Sequence, residues 1–362
     1  MSKRISGCLA VGLFASSALA QVVPATHQNL IYEGRHHKDY HSGNVQVNWP
    51  GSRLKTGFVG TKLTITMQGY GDHYDLLIDG ELKQTLITQA SGAIETFLLF
   101  QSSSAKAVTV ELIKRTENTL HMTKFISFHH DGKLDSTLDK KPHILFIGDS
   151  ISAGLGAESN KRECTWEETY ASSNARLAFP NQTARQLDAT MTQISFSGLG
   201  LIRNWGGNQT HHDLTSYTDK VSAIHQLTLD YEDIFPNLIV IEVGTNDFST
   251  DPQAHEPWKN IEEVKEAWTK RLVEYVSELK QRYHQVPIVF MSRPAYPYDY
   301  IVPATHDAIN ALNQQAISLV YNHTFSSPFE GCNWHPTARE HYVIATHLAQ
   351  YIRDQSLLID TF

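Results

Sequence analysis

The pattern of apolar residues changes near Lys141, and this change limits the folds that the chain can adopt. Before it, short segments such as 62–67 and 108–112 alternate polar and apolar residues, which is typical of half-buried strands. Residues 79–80 are Asp-Gly, a common hairpin turn. Strands and turns without a long helical period predict a β-sandwich of the jelly-roll type, which we place at residues 22–130.

After Lys141, apolar runs are separated by helical patterns. The runs predict four buried strands, at residues 143–147, 193–196, 238–243 and 288–291. Because such strands alternate with helices, we expect a parallel sheet covered on both faces. Residues 143–362 are therefore interpreted as a C-terminal α/β domain, and the polar residues 131–142 as a linker between the two domains.

Three segments of this second domain have helical spacing. Apolar residues three and four apart predict a long amphipathic helix from Ile261 to Leu279. A second apolar face extends from Ile309 to Val320. Pro336 is suited to the first position of a final helix.

Residues 1–20 have the features of a secretory signal peptide. Lys3 and Arg4 form a basic start, an apolar stretch follows, and residues 18–20 (Ala-Leu-Ala) form a small-residue cleavage site. The stretch is short for a membrane span, and no later segment is long and apolar enough for one. We therefore expect a secreted protein, extracellular or periplasmic, without a membrane partner.

The charge and the motifs exclude several classes of function. Loss of Lys3 and Arg4 with the signal peptide changes the net charge from −8 to −10, which disfavours nucleic acid as a partner. The sequence contains neither zinc-ligand spacing nor a phosphate-binding glycine loop. We expect no metal, no cofactor and a monomer.

Four short blocks supply the groups that acyl transfer needs. Ser150 follows the first predicted strand and offers a hydroxyl nucleophile. Gly198 and Asn246 follow later strands and offer a backbone N–H and a side-chain amide to an oxyanion. His335 precedes the final helix and offers a base. Taken singly, each block also fits a simple turn, a helix cap or a surface histidine.

The order and spacing of these blocks resemble the SGNH (GDSL-type) hydrolase superfamily, over residues 141–362. The resemblance implies that Ser150 is the nucleophile. It also implies an oxyanion hole made of the N–H groups of Ser150 and Gly198 and the amide of Asn246. His335 would act as general base and then as general acid.

Segments of both domains are similar to carbohydrate esterase family 2, at residues 32–35, 49–52, 58–61, 200–205 and 331–336. This resemblance implies a secreted serine esterase, with a jelly roll beside an SGNH domain. Its substrate would be an acetylated polysaccharide or oligosaccharide of the plant cell wall, deacetylated through an acyl-serine, often at a 6-hydroxyl. The alternatives are a lipid or arylester hydrolase on the same fold and a non-catalytic carbohydrate-binding protein.

The histidine block departs from the wider superfamily at one position. An aspartate often stands three residues before the histidine, where this chain has Cys332. We expect backbone carbonyls, Asn333 or Glu330 to orient His335 instead. In an exported protein, Cys164 and Cys332 are predicted to form a disulfide, the alternative being two separate thiols.

Two tryptophans adjoin the predicted catalytic blocks. Trp334 precedes the histidine, and Trp205 lies in the segment after Gly198. Aromatic faces suit the apolar C–H surfaces of sugar rings, so both are predicted to bind substrate. Asp247 follows the oxyanion asparagine and is predicted either to contact substrate or to cap a helix.

Overall fold

The computed structural model describes residues 20–136, 140–224 and 235–358. The predicted signal peptide lies almost entirely outside the described residues. The predicted fold class is confirmed, since an N-terminal antiparallel sheet is followed by a C-terminal α/β unit with a parallel sheet. Among the helices of the described ranges, none combines the length and the apolar character that a bilayer crossing requires.

The N-terminal unit is one curled antiparallel sheet of ten strands. The long strands β5 and β8 pair along most of their length, and irregularities in their register near Gly60 help the sheet to bend around its own core. The strands are β1 (Gln21–Pro24), β2 (Ile31–Glu33), β3 (His36–Asp39), β4 (Asn44–Val47), β5 (Arg53–Gln68), β6 (His73–Ile78), β7 (Glu81–Ile87), β8 (Ile94–Lys114), β9 (Thr123–His130) and β10 (Lys133–Asp135).

The C-terminal unit has a five-stranded parallel sheet in the order β12-β11-β13-β14-β15. Separate apolar clusters cover its two faces, one including α4 and α5 and the other including α3 and α6. The strands are β11 (His143–Gly148), β12 (Thr190–Ser195), β13 (Leu238–Glu242), β14 (Ile288–Ser292) and β15 (Val320–Thr324). The helices are α1 (Ser150–Ala153), α2 (Trp166–Ala171), α3 (Phe179–Gln186), α4 (Ile261–Tyr283), α5 (Ile301–Gln314) and α6 (Ala338–Asp354).

Three local predictions differ from the structure. The segment interpreted as a linker contains β10, which pairs with β5 because Leu134 is apolar and enters the core. The helix predicted to reach Val320 ends at Gln314, and Val320 begins the edge strand β15. The final helix begins at Ala338, because the Thr337 side chain caps it through the backbone N–H of Glu340.

The two units share a buried aromatic contact. Trp49 belongs to the N-terminal unit, but it is 0% exposed and lies within the core of the C-terminal unit. Its ring packs edge-on against Phe196 at 6.2 Å and Tyr217 at 6.0 Å between ring centroids. Phe196 directly follows β12, so the N-terminal unit supports the loop that contains Gly198.

Candidate active site

The end of strand β11 places Ser150 at the carboxyl-terminal end of the parallel sheet. Gly148 is required there, because a Cβ at this position would lie 2.0 Å from the hydroxyl of Ser152. The next residue, Asp149, caps α1 by accepting a hydrogen bond of 2.9 Å from the N–H of Ile151. Ser150 is therefore the first residue of a short helix, where its own N–H points away from the helix body.

Ser150 and His335 are in hydrogen-bond contact, although they are 185 residues apart in sequence. The distance from the Ser150 Oγ to the His335 Nε2 is 2.8 Å. Ser150 is only 5% exposed, so an attacking hydroxyl is recessed below the surface. The contact gives the serine a base within reach, as nucleophilic catalysis at an alcohol requires.

A backbone carbonyl orients the histidine. The Nδ1 of His335 lies 3.0 Å from the carbonyl oxygen of Cys332, so Nδ1 carries the proton and Nε2 is free to accept one. The side chain of Asn333 donates instead to Thr169, at 3.0 Å. Of the three predicted ways to orient His335, the geometry supports the backbone carbonyl, which gives a Ser–His dyad.

The histidine turn is fastened to the serine side of the site by a disulfide. Cys332, whose carbonyl holds His335, is bonded to Cys164, so the predicted pairing is present. The backbone N–H of Asn333 also donates to the carbonyl of Arg162, at 2.7 Å. These two links hold the histidine turn against the segment that follows α1.

The pH dependence of turnover follows from the surroundings of His335. Burial lowers the pKa of His335 from its ordinary 6.5, and the carbonyls of Cys332 and Asn333 oppose this by favouring the charged ring. The base must be neutral, so we expect turnover to persist below pH 6.5 and to be lost as His335 becomes protonated. A profile of kcat against pH checks this. Activity that is already lost completely when the pH falls to 7 would contradict it.

The backbone at Gly198 has open space on the side where a Cβ would stand. Gly198 has φ of +81°, a conformation that favours glycine. A Cβ at this position would meet no atom of the described residues within 4 Å, so a ligand can approach the backbone. The Gly198 carbonyl accepts a hydrogen bond of 2.9 Å from the N–H of Trp205, which fixes the far side of the turn.

Asn246 is buried next to Asp149, the residue before the serine. Its Nδ2 donates to the Leu199 carbonyl at 2.8 Å and reaches the Asp149 Oδ2 at 3.2 Å. The first bond anchors the amide to the loop after Gly198. The second is longer, and it connects the amide to the residue before Ser150. Catalytic hydrogen bonds are often long until a substrate binds.

Two buried carboxyl groups lie beneath the nucleophile. Asp149 and Glu242 are both buried, and Glu242 accepts a hydrogen bond of 3.0 Å from the hydroxyl of Ser152. Burial and the nearby Glu242 raise the pKa of Asp149, and burial raises that of Glu242. Burial and mutual repulsion favour one proton shared between the two groups, so the pair carries one negative charge instead of two.

Asp247 does not reach the cleft, which corrects the prediction that it binds substrate. It is 0% exposed, and its carboxylate accepts backbone N–H bonds of 2.9 to 3.0 Å from Leu201, Ile202 and Arg203. Burial raises its pKa to about 6 against the effect of these bonds. The residue follows a strand end, as predicted, but it fastens the segment after Gly198.

The two predicted tryptophans are exposed beside the dyad. Trp334 is 62% exposed and Trp205 is 59% exposed, which is unusual for such large apolar side chains. Trp334 immediately precedes His335, and the backbone of Trp205 is bonded to Gly198. Two exposed aromatic rings thus belong to residues that adjoin the histidine and the Gly198 loop.

Three charged residues near the site were missed in the sequence. Glu242 is the last residue of β13, and Arg293 follows β14, so both stand at strand ends of the kind that hold Ser150 and Asn246. Glu117 belongs to the N-terminal unit, and its carboxylate contacts Ser197. Position at a strand end of the parallel sheet could have identified Glu242 and Arg293. No such signal in the sequence identifies Glu117.

Residues 146–344 match the GDSL-like Lipase/Acylhydrolase family. The chain belongs to this family. Residues 32–137 match the N-terminal domain of carbohydrate esterase 2, so the predicted resemblance to that family is confirmed. The chain is a carboxylic ester hydrolase of the SGNH superfamily.

Characterised proteins resemble the chain over most of its length. An acetylxylan esterase / glucomannan deacetylase of Cellvibrio japonicus is 27% identical over 84% of this chain and 85% of its own. The cellulase/esterase CelE of Acetivibrio thermocellus is 27% identical over 93% of this chain, which spans only 40% of that protein. A family two carbohydrate esterase of Clostridium thermocellum, solved with cellohexaose, is 24% identical over 91% of this chain and all of its own, with a TM-score of 0.81.

Proposed function

We propose that the protein is a secreted serine esterase that removes O-acetyl groups from plant cell-wall polysaccharides or oligosaccharides. The observation that carries this proposal is the contact of 2.8 Å between Ser150 and His335 beside two exposed tryptophans. The relatives named acetylxylan esterase and glucomannan deacetylase support the substrate class.

The reaction proceeds through an acyl-serine. The Ser150 Oγ attacks the acetyl carbonyl carbon while its proton passes to the His335 Nε2. The N–H groups of Ser150 and Gly198 and the amide of Asn246 donate to the oxyanion of the tetrahedral intermediate. His335 then returns the proton to the departing sugar hydroxyl. Water attacks the acyl-serine in the same way and releases acetate.

The polymer is held by aromatic faces at the cleft. Trp334 precedes His335, Trp205 is bonded to Gly198, and both exposed rings offer apolar surfaces to sugar rings. Because Ser150 is recessed, an acetyl group on the extended C6 arm reaches it with less obstruction than one on a ring hydroxyl. This reasoning and the family resemblance favour 6-O-acetyl groups.

The comparison of defined acetyl esters tests this proposal. We expect the wild type to release acetate from acetylated glucomannan and from 6-O-acetyl-glucosides, more slowly from acetylated xylan, which has no C6 hydroxyl, and Ser150→Ala to release none. Turnover of 4-nitrophenyl acetate alone would favour the arylester alternative. A folded wild type without any turnover would favour the carbohydrate-binding alternative.

Export is the remaining part of the proposal. The Cys164–Cys332 disulfide suits an oxidising compartment, and residues 1–20 resemble a signal peptide. We infer that the mature monomer acts outside the cytoplasm. Mass spectrometry of secreted material, with a start at Gln21, supports this inference, and retention of residues 1–20 contradicts it.

A further inference from the structure

The carboxylate of Glu117 connects the N-terminal unit to the loop that contains Gly198. Glu117 lies three residues beyond the end of β8, and Ser197 lies directly before Gly198. The Oε1 of Glu117 accepts the backbone N–H of Ser197, and its Oε2 accepts the Ser197 hydroxyl, both at 2.5 Å. One carboxylate thus holds one residue of the loop at two points.

These two bonds restrain the residue whose backbone directs the N–H of Gly198. That N–H belongs to the peptide unit between Ser197 and Gly198, so its direction depends on the backbone dihedrals of Ser197. Fixing both the N–H and the hydroxyl of Ser197 restricts its φ and its side-chain rotamer together. The Gly198 carbonyl is fixed from the other side by Trp205. Hydrogen bonds therefore restrain both Ser197, which precedes the glycine, and the carbonyl of the glycine itself.

The segment that carries Glu117 is itself anchored to both units. The Arg115 carbonyl accepts the N–H of Ala175 at 3.0 Å, and the Arg115 side chain forms an ion pair with Asp75 at 3.3 Å. Lys114 forms a buried ion pair with Asp72. A carboxylate on so constrained a segment can act as a fixed support, as a preorganised oxyanion hole requires.

We propose that Glu117 is a positioning residue through which the N-terminal unit sets the oxyanion-donating N–H of Gly198. The inference rests on the proposed function of Gly198 and does not require a particular sugar. Glu117 acts through Ser197 and touches no reacting atom. On this proposal the N-terminal unit is part of the catalytic apparatus, in addition to any contact that it makes with the polymer.

The charge of Glu117 gives the proposal a distinctive pH signature. Burial raises the pKa of Glu117 to about 7, opposed by the bonds from Ser197 and by Lys114, while Asp149 raises it further. Tyr170 also faces this carboxyl group. Above pH 7 both bonds are charge-assisted, and below it they become weaker neutral bonds. As the pH falls through about 7, activity should therefore decline partly, before His335 is protonated.

The test uses Glu117→Gln and Glu117→Ala in the full chain, with Ser197→Ala probing the contact from its other partner. Glutamine keeps the shape and one acceptor but cannot titrate. Glu81→Gln is the matched control, because Glu81 is on the same unit with a side chain that is 76% exposed. Thermal melting monitors folding of each variant.

Two readouts separate positioning from a structural role. We expect Glu117→Ala to lower kcat by about 10- to 100-fold with KM changed less than about threefold, since misplacement of a catalytic group acts on the transition state. Glu117→Gln should retain most of the activity at pH 8 and lose the partial decline near pH 7. Ser197→Ala should lie between wild type and Glu117→Ala.

A second probe keeps this test independent of the substrate assignment. Diethyl 4-nitrophenyl phosphate phosphorylates an activated serine and needs the oxyanion site but no sugar. Its rate of labelling Ser150 should therefore be highest in the wild type, lower in Ser197→Ala and lowest in Glu117→Ala. Labelling of the wild type without turnover of acetyl esters would refute the proposed substrate and leave Glu117 testable. Wild-type labelling rates in Glu117→Ala, or an unchanged pH profile in Glu117→Gln, would overturn the proposal.

Discussion

Replacing Ser150 with alanine is expected to lower kcat on acetyl esters by about a million-fold, the effect found when a catalytic serine is removed from a hydrolase that uses a histidine base. Alanine leaves His335 without a hydroxyl to deprotonate, and no alcohol remains to attack the carbonyl carbon. The small change in volume should leave the fold intact, so the melting temperature should stay within a few degrees of that of the wild type.

The dyad makes this prediction more specific. Ser150 and His335 act as one unit, so His335→Ala should cost about as much as Ser150→Ala, and the double variant should be no worse than either. Initial rates at high enzyme concentration measure all three variants. Residual activity of a tenth or more in Ser150→Ala would show that another residue is the nucleophile, and additive losses would show that the two residues act separately.

His335 is oriented by a backbone carbonyl, so no side-chain substitution removes its support directly. The carbonyl of Cys332 takes the place of the triad carboxylate, and no side chain can be deleted to remove it. A carbonyl carries only a partial charge, so it stabilises the imidazolium less than an aspartate does. The disulfide and the Asn333–Arg162 backbone bond compensate by holding the carbonyl in place.

The fold class was predictable because the two units differ in the period of their apolar residues. Alternation along residues 62–67 is typical of a sheet with one buried face, whereas the continuous apolar run 144–147 is typical of a central parallel strand. Strand β15 was missed because Val320–Thr324 is largely polar and lies at the sheet edge, half-buried. Its pairing with β14 is decided by tertiary contacts.

The site was predictable where residues stand at strand ends or in recognisable blocks. Ser150, Gly198, Asn246 and His335 all belong to such blocks, and the structure brings the serine and histidine into contact. Asp247 shows the limit of this reasoning, since adjacency to Asn246 said nothing of the direction of its side chain. Glu117 shows a second limit, because its role depends on how the two units pack, and no local pattern encodes that packing.

Asn246→Ala should lower kcat by about 100- to 1,000-fold, the cost of removing one donor from an oxyanion hole. The oxyanion exists only in the transition state and the tetrahedral intermediate, so KM should change little. Asn310→Ala is the matched control, because Asn310 is an exposed asparagine on α5, away from the residues assigned to the site. It should keep nearly full activity.

The structure also defines what a smaller loss at Asn246 would mean. The amide bonds the Leu199 carbonyl, so its removal could loosen the loop as well as delete a donor. Asn246→Asp also loses the bond to the Leu199 carbonyl, so it tests the donor role through charge. Aspartate has the same size, but it cannot donate when ionised and brings a negative charge beside the oxyanion and Asp149. It should therefore be at least as inactive as the alanine variant. An aspartate variant that retained a tenth of wild-type kcat would exclude Asn246 as a donor and leave the N–H groups of Ser150 and Gly198 as the whole oxyanion hole.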